Sequence, residues 1–542
     1  MTTGKALNGK PYAGNPHVRF DEGEVAPAAT PRRGSLLYSP TLTDKILKCV
    51  LMCGVAFCIG GGEAHAENLV PRNRNWKIVY GEYAGQERRA VEFLSTEIGA
   101  LIQRDPGVYT LHVVPCEKAG MESETNRNAF VVGTRKSNAL LREMLSDEDV
   151  PTDGYLVRVT EKGDRQLVLI AGDTPAAAIW GACDFVDDGL ATMRTKGSDY
   201  ALYLSGIFEK PRLPAYESRR APKTKRRSIF SWAHVMNDYH SYFRNLARMK
   251  FNEAILWNEF PPLNAREVVE YARSWGVEVL WGWSWGWSTD CRNVDFDHLK
   301  ELEDDIVRQW RDVWRPCGGD GIYFQSFTEI NQSDLKGHSV AETVTKLVNG
   351  AAGRILADEP NLRIVFGLHS ASVKSRLNEI AATDPRLEIL WENCGGFPFN
   401  LTGGTRAETE SFVKSLLDME RPATGFVYKS QVFQDWGRFA HQAGPYVLGR
   451  NSRVVIAGDR QVVEPLWRRF EGEWLMRGER AHALTRLIQS RDGNKGSLNV
   501  AGNLNEPVHV STALCAELFW SADEPYETIL ARVLSRAWLN RE

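Results

Sequence analysis

The stretch Gly321-Ile322-Tyr323-Phe324-Gln325-Ser326-Phe327, followed at once by Thr328-Glu329-Ile330-Asn331, decides how this chain folds. A short, largely apolar run that ends abruptly in polar residues reads as a strand buried in a parallel sheet. Runs of the same kind stand at Ser228 to Val235, Asn252 to Trp257, Val277 to Trp287, Arg363 to Leu368, Leu387 to Trp391 and Gly425 to Tyr428, with helical stretches between them. Parallel strands joined through helices cross over with one hand, so these repeats predict an α/β fold, a (β/α)8 TIM barrel short of one strand. Both Arg453 to Ala457 and Ser497 to Gly502 suit the eighth.

Upstream of the barrel, the apolar runs Ile78 to Tyr80, Tyr109 to Val114 and Phe130 to Gly133 alternate with helical patterns over Ala90 to Ile102 and Ser137 to Leu145. A hairpin-like pair, Gly154 to Val159 and Gln166 to Ala171, and a helix from Ala176 to Leu190 complete a small α/β domain. Prolines and basic residues from Glu209 to Arg227 suit a surface linker. The boundaries that follow are a polar leader over 1–43, an export signal over 44–66, the small domain over 73–208 and a linker over 209–226. The barrel then occupies 227–480, or runs to about 505 with the later eighth strand, and C-terminal helices fill 481–542.

The export reading rests on Lys45 and Lys48 ahead of the apolar Cys49 to Ile59, with Ala64-His65-Ala66 as the small-x-small cleavage pattern. That apolar run is too short to span a bilayer, so the expected destination is periplasmic or extracellular, with no membrane span after cleavage. A net charge of -3 offers no field for a polyanion, which argues against nucleic acid as a ligand. The 9 cysteines show no zinc spacing and no disulfide framework, which favours free thiols. The 17 tryptophans are the compositional outlier, and their flat apolar faces match the C–H faces of a sugar ring as well as they match a core.

Polar residues just past each barrel strand converge on one mouth. Here they are Trp257-Asn258-Glu259 on the second strand, Thr328-Glu329-Ile330-Asn331 on the fourth and His369 on the fifth. Trp391-Glu392-Asn393 follows on the sixth, and Lys429, Gln431 and Asp435 on the seventh. The third strand carries Trp281, Trp283, Trp285 and Trp287 at period two, hence on one face; the first two are expected to pack in the barrel and the last two to stack on a sugar. Hydrolysing a glycosidic bond takes one carboxyl group that donates a proton and a second that activates water or attacks carbon. Glu329 and Glu392 are the candidates, with Asp435, Glu259, Asp238 and Asp290 in reserve. No phosphate loop, Gly-x-Ser-x-Gly elbow or HExxH helix occurs, and His234, His240, His338 and His369 lack metal-site pairing.

A small α/β domain ahead of such a barrel resembles the arrangement of the family 67 α-glucuronidases and the family 20 β-hexosaminidases. The segments Asn245 to Asn252, Pro262 to Glu267, Gly319 to Glu329 and Phe366 to His369 are similar to those of a group of uncharacterised bacterial glycosidase-like proteins. In the α-glucuronidases a Glu after the fourth strand is the general acid and later carboxylates activate water in an inverting reaction. The resemblance implies that role for Glu329, with Glu392 nearest to the base and Asp435 the only counterpart of a further carboxylate. The family 20 signature is an adjacent Asp-Glu pair, and Thr328 replaces its Asp here, which argues against hexosaminidase activity.

The expected activity is therefore that of an exported glycoside hydrolase, with Glu329 as acid and Glu392 as base or nucleophile. Trp257, Trp285 and Trp287 would hold the sugar; Asn258, Asn331, His369, Asn393, Gln431 and Asp435 would bond its hydroxyls. The partner is an oligo- or polysaccharide, uronic acid-containing or N-acetylhexosamine-containing, and neither cofactor nor metal is required. Two other classes fit the same features: a non-catalytic carbohydrate-binding barrel and a metal-dependent barrel hydrolase.

Overall fold

A computed structural model describes residues 75–102, 110–116, 128–163, 165–193, 212–231, 236–258, 260–285, 296–326, 328, 330, 332–368, 372–391, 403–419, 421–429, 445–492, 496–501, 509–536 and 538–539. The expected leader and export signal lie outside them.

The small domain is one six-stranded sheet in the order β2-β1-β3-β5-β4-β6, built from β1 (Asn75–Tyr80), β2 (Thr110–Pro115), β3 (Asn128–Thr134), β4 (Tyr155–Lys162), β5 (Arg165–Gly172) and β6 (Glu217–Arg220). Only β4 runs against its neighbours, which makes the predicted hairpin with β5. Helices α1 (Gly85–Ile102) and α3 (Pro175–Asp184) cover one face, and α2 (Ala139–Met144) the other. The Thr174 hydroxyl caps α3 on Ala177 N, and a proline in the first turn loses no bond there. The linker reading needs correction, because Glu217–Arg220 is a strand of this sheet. All four residues are polar and the strand lies at an edge, so no apolar alternation marks it. Arg219, weighed as a partner for a substrate carboxylate, bonds the backbone oxygens of Glu148 and Asp149 instead.

The second sheet is a closed barrel of eight parallel strands: β7 (Arg226–Phe230), β8 (Glu253–Trp257), β9 (Glu278–Ser284), β10 (Gly321–Gln325), β11 (Arg363–Leu368), β12 (Glu388–Trp391), β13 (Thr424–Lys429) and β14 (Ser497–Ala501). The eighth strand is Ser497–Ala501, which pairs with β13 and β7 and carries the barrel past 480. Arg453 to Ala457 opens a 25-residue helix, α9 (Arg453–Arg477), whose first turn is capped by the Ser452 hydroxyl on Val455 N. Helices α4 (Tyr239–Arg248), α5 (Ala265–Ser274), α6 (Leu299–Gln309), α7 (Val340–Asp358), α8 (Gly403–Leu417) and α10 (Glu479–Asp492) belong to the outer layer.

Inside the barrel Phe230, Ile255, Leu280, Tyr323, Val365, Leu390 and Val427 pack together, one from each of seven strands. Below them Arg226 and Arg363 pair with Glu253, Glu278 and Glu388, closing the amino-terminal end with charge against charge. Trp281 and Trp283 do not pack in the barrel. Leu280 points inward, so alternation sends Trp281 and Trp283 out to the helix layer, where Trp283 stacks on Trp314 at 5.1 Å. A Cβ on Gly282 would lie 3.0 Å from both Trp257 and Tyr323, which shows that the glycine makes room for two aromatic rings inside.

Two C-terminal helices, α11 (Val510–Trp520) and α12 (Tyr526–Ser535), lock barrel and small domain together. Glu517 of α11 receives Lys250 and Arg536 on one carboxylate oxygen and Arg220 and Arg532 on the other. Arg536 also forks onto Asp188, and Arg248 onto Asp187, both just past α3.

Candidate functional site

At the carboxyl ends of the strands the described residues give the floor and one wall of a mouth. Trp257 ends β8 half-buried, its ring edge-on to Tyr323 at 5.8 Å. Asn258 is buried next to it; its backbone N bonds Gly282 O, and its side-chain oxygen accepts the Tyr446 hydroxyl at 2.6 Å. That bond, with Leu263 N on Tyr446 O, ties the segment after β8 to the segment before α9. Thr328 is fully buried, and its carbonyl accepts both the Ser372 hydroxyl, at 2.5 Å, and Ile330 N. Thr328, just before Glu329, is thereby tied to Ser372 in the turn after β11.

Of the side chains expected to act, Glu329, Glu392, Trp287, Asn331, His369, Asn393, Gln431 and Asp435 lie outside the described residues, as do Glu259, Asp290 and His234 and the Lys429 side chain. Trp285 is fully buried and stacked on Phe324 at 3.7 Å, so it presents no ring face to a sugar; one residue past β9, it continues the outward row of Trp281 and Trp283. Asp238 caps α4, accepting from His240 N, Ser241 N and the Ser241 hydroxyl. These bonds hold its carboxyl below the usual range against the opposing effect of burial. The His240 ring stacks on Tyr239. Among the described residues no group of His, Cys, Asp and Glu is arranged to hold a metal ion, and Cys183, Cys317 and Cys515 are free, buried thiols.

Sequence reasoning missed Ser284, Gln325 and Tyr446. Ser284 and Gln325 share a register row with Gly367, and alternation from Leu280, Tyr323 and Val365 puts all three on the inner face. A polar residue inside an apolar run was the available signal.

Where the chain leaves β14 and enters α11, Glu471 of α9 accepts from Ser511 N and, at 2.5 Å, from the Ser511 hydroxyl, with His509 Nδ1 3.8 Å away. Burial pushes its carboxyl up to about 7, although the Ser511 and Val510 bonds pull the other way. A buried acid with a raised folded-state pKa favours folding fully below its unfolded value, 4.5, and loses that contribution as pH rises through 7. Glu471→Gln is therefore expected to be more stable than wild type at pH 8 by about 2 kcal/mol and to lose that advantage toward pH 5. Parallel pH dependences of the two melting curves would refute this.

No family model and no curated protein matches this chain. Solved structures similar to it include a GH138 enzyme targeting pectin rhamnogalacturonan II, at 11% identity and a TM-score of 0.45 over 83% of this chain and 51% of that one. A GH89 enzyme from Clostridium perfringens, in complex with GlcNAc-α-1,4-galactose, is 10% identical with a TM-score of 0.41, covering 82% and 51%. An O-GlcNAc hydrolase from Thermobaculum terrenum is 11% identical with a TM-score of 0.34, covering 58% and 63%. The chain spans about half the length of the first two. At these identities and scores the likenesses assign neither a family nor an activity.

Proposed function

We propose that this protein is a glycoside hydrolase working by two carboxyl groups, with Glu329 as general acid and Glu392 as general base or nucleophile. The observation that carries the reading is position. Glu329 follows the last residue of β10, Gln325, by four residues, and Glu392 directly follows Trp391 at the end of β12. That is the end of a parallel barrel where catalytic groups sit, whereas the other end is stopped by the Arg226–Arg363 ion cluster. Among the described neighbours the half-buried Trp257 offers a sugar an aromatic surface, and Asn258, bonded to Tyr446, shapes the wall beside it. Asn331, His369, Asn393, Gln431 and Asp435 complete the polar lining in this reading, and Trp287 replaces the buried Trp285 as the second platform. The substrate is a glycan, with uronic acid-containing chains ahead of N-acetylhexosamines because Thr328 stands where the latter need a carboxylate. Residues 44–66 direct export.

A panel of aryl glycosides and plant and bacterial glycans, assayed with and without chelator, tests the function. We expect one sugar class to be released and the rate to be unchanged by chelator. A glycan that binds and is never cleaved would make the protein a carbohydrate-binding barrel. Loss of activity on chelation would make it a metal-dependent hydrolase.

A further inference from the structure

Glu329 stands in the chain between Thr328 and Ile330, and the bonds of those two residues are on view. Thr328 is fully buried, and its carbonyl accepts Ile330 N at 2.9 Å, a bond between residues two apart that closes the tightest of backbone turns. The same carbonyl accepts the Ser372 hydroxyl, at 2.5 Å, from the turn after β11. Ser372 is itself fully buried, so this bond is made away from solvent. Alanine would fill the place with no polar group to satisfy; serine supplies a donor for one particular oxygen.

The chain around Glu329 is held at other points too. Trp285 N donates to Gln325 O and the buried Ser326 hydroxyl to Trp285 O, which ties the chain leaving β10 to the chain leaving β9. Past Glu329 the ties run to the segment after β11, where Arg376 forks onto Asp334 and the Ser339 hydroxyl donates to Glu379. The Arg376–Asp334 pair lies at the surface, where an ion pair contributes little. Of the three ties to the β11 segment only the Ser372 bond is wholly buried, and it falls on the residue next to Glu329.

We propose that Ser372 is a positioning residue for the general acid: by holding the Thr328 carbonyl it sets the turn from which the Glu329 carboxyl meets the glycosidic oxygen. The inference rests on the reading of Glu329 as that acid. Proton transfer needs acid and leaving oxygen within hydrogen-bond reach, and a misplacement of about 1 Å can cost on the order of 10²-fold in rate. Without the Ser372 hydroxyl the Thr328 carbonyl keeps Ile330 N and loses its anchor on the β11 side. Ser372 acts through the backbone of Thr328 and takes no part in the proton transfer itself.

The test is the leaving-group dependence of whole proteins: wild type, Ser372→Ala, Glu329→Gln, the double variant and Arg376→Met, each on the alkyl and the dinitrophenyl glycoside of the sugar that the wild type releases. An alkyl alcohol needs the acid in order to leave, and a dinitrophenolate does not. We expect Ser372→Ala to melt within about 4 °C of the wild type, the effect of one neutral hydrogen bond. Its kcat on the alkyl glycoside should fall roughly 10- to 100-fold with KM nearly unchanged, and far less on the dinitrophenyl glycoside. In the Glu329→Gln background the same change should cost nothing more, since an absent acid cannot be misplaced. Arg376→Met, which cuts the surface tie, should leave the leaving-group dependence as it is in the wild type. While Glu329→Gln keeps its own preference for the dinitrophenyl glycoside, four results overturn the positioning role and leave the acid in place: an equal loss in Ser372→Ala on both glycosides, a loss that adds to that of Glu329→Gln, the same effect in Arg376→Met, or no loss at all. If Glu329→Gln loses no more on the alkyl than on the dinitrophenyl glycoside, the acid assignment falls and the positioning role with it. A wild type that cleaves no glycoside removes both.

Discussion

Glu329→Gln is expected to lower kcat on an unactivated glycoside by about 10²- to 10⁴-fold, the range over which a positioned general acid acts. Glutamine keeps the size and the hydrogen-bonding reach of the side chain and removes only the transferable proton, so KM should move little. The diagnostic lies in the leaving group. An alkyl alcohol leaves only when its oxygen is protonated, whereas a dinitrophenolate leaves unaided. The variant should therefore be crippled on alkyl glycosides and oligosaccharides and far less impaired on the dinitrophenyl glycoside of the same sugar. Equal loss on both substrates would assign Glu329 to another role, such as nucleophile or substrate ligand. No loss on either would remove it from the mechanism.

How much of this was legible in the sequence depends on the range over which each feature is decided. Strands such as Arg363–Leu368 and Glu388–Trp391 are buried on both faces, so a short apolar run announces them locally. The edge strand Glu217–Arg220 has no such signature, because all four residues are polar and what holds it, the pairing with β4 and the bonds of Arg219 and Arg220, lies far off in the sequence. Arg453 to Ala457 has the β-branched residues of a strand, but the Ser452 cap and twenty further helical residues decide otherwise, and neither is visible in a five-residue window. The tryptophans of β9 illustrate a different limit. Their period places them on one face, yet period alone does not say which face looks inward; Gly282, pressed against Trp257 and Tyr323, settles it. For the site, strand-end position singled out Glu329 and Glu392, with a family resemblance beside it for Glu329.

The joint around Glu517 was invisible in the sequence, because it gathers residues from Asp188 to Arg536. It should also be the most sensitive point for folding. Burial by itself would raise the Glu517 carboxyl, but Lys250, Arg536, Arg220 and Arg532 hold it well below the ordinary range. Removing that charge leaves buried cations short of a counter-ion, a situation that costs about 3 to 5 kcal/mol. Glu517→Gln is therefore expected to lose that much stability at neutral pH, a large part of the about 5 to 15 kcal/mol that holds a typical domain folded. The sign with pH follows from the depressed folded-state value. The carboxylate contributes above its unfolded pKa, 4.5, and that contribution vanishes as pH falls through the folded one, so the deficit of the variant should shrink in acid. Charge balance supplies the control. The double variant Glu517→Gln with Lys250→Met removes one acid and one base from the cluster and should recover a substantial part of the loss, since a neutral packed pair in a buried site is often as stable as the ion pair it replaces. Chemical denaturation of the three proteins decides the matter. If Glu517→Gln unfolds at the wild-type denaturant concentration, the cluster does not hold the molecule together. If the double variant is no better than the single one, loss of specific hydrogen bonds, and not stranded charge, accounts for the damage.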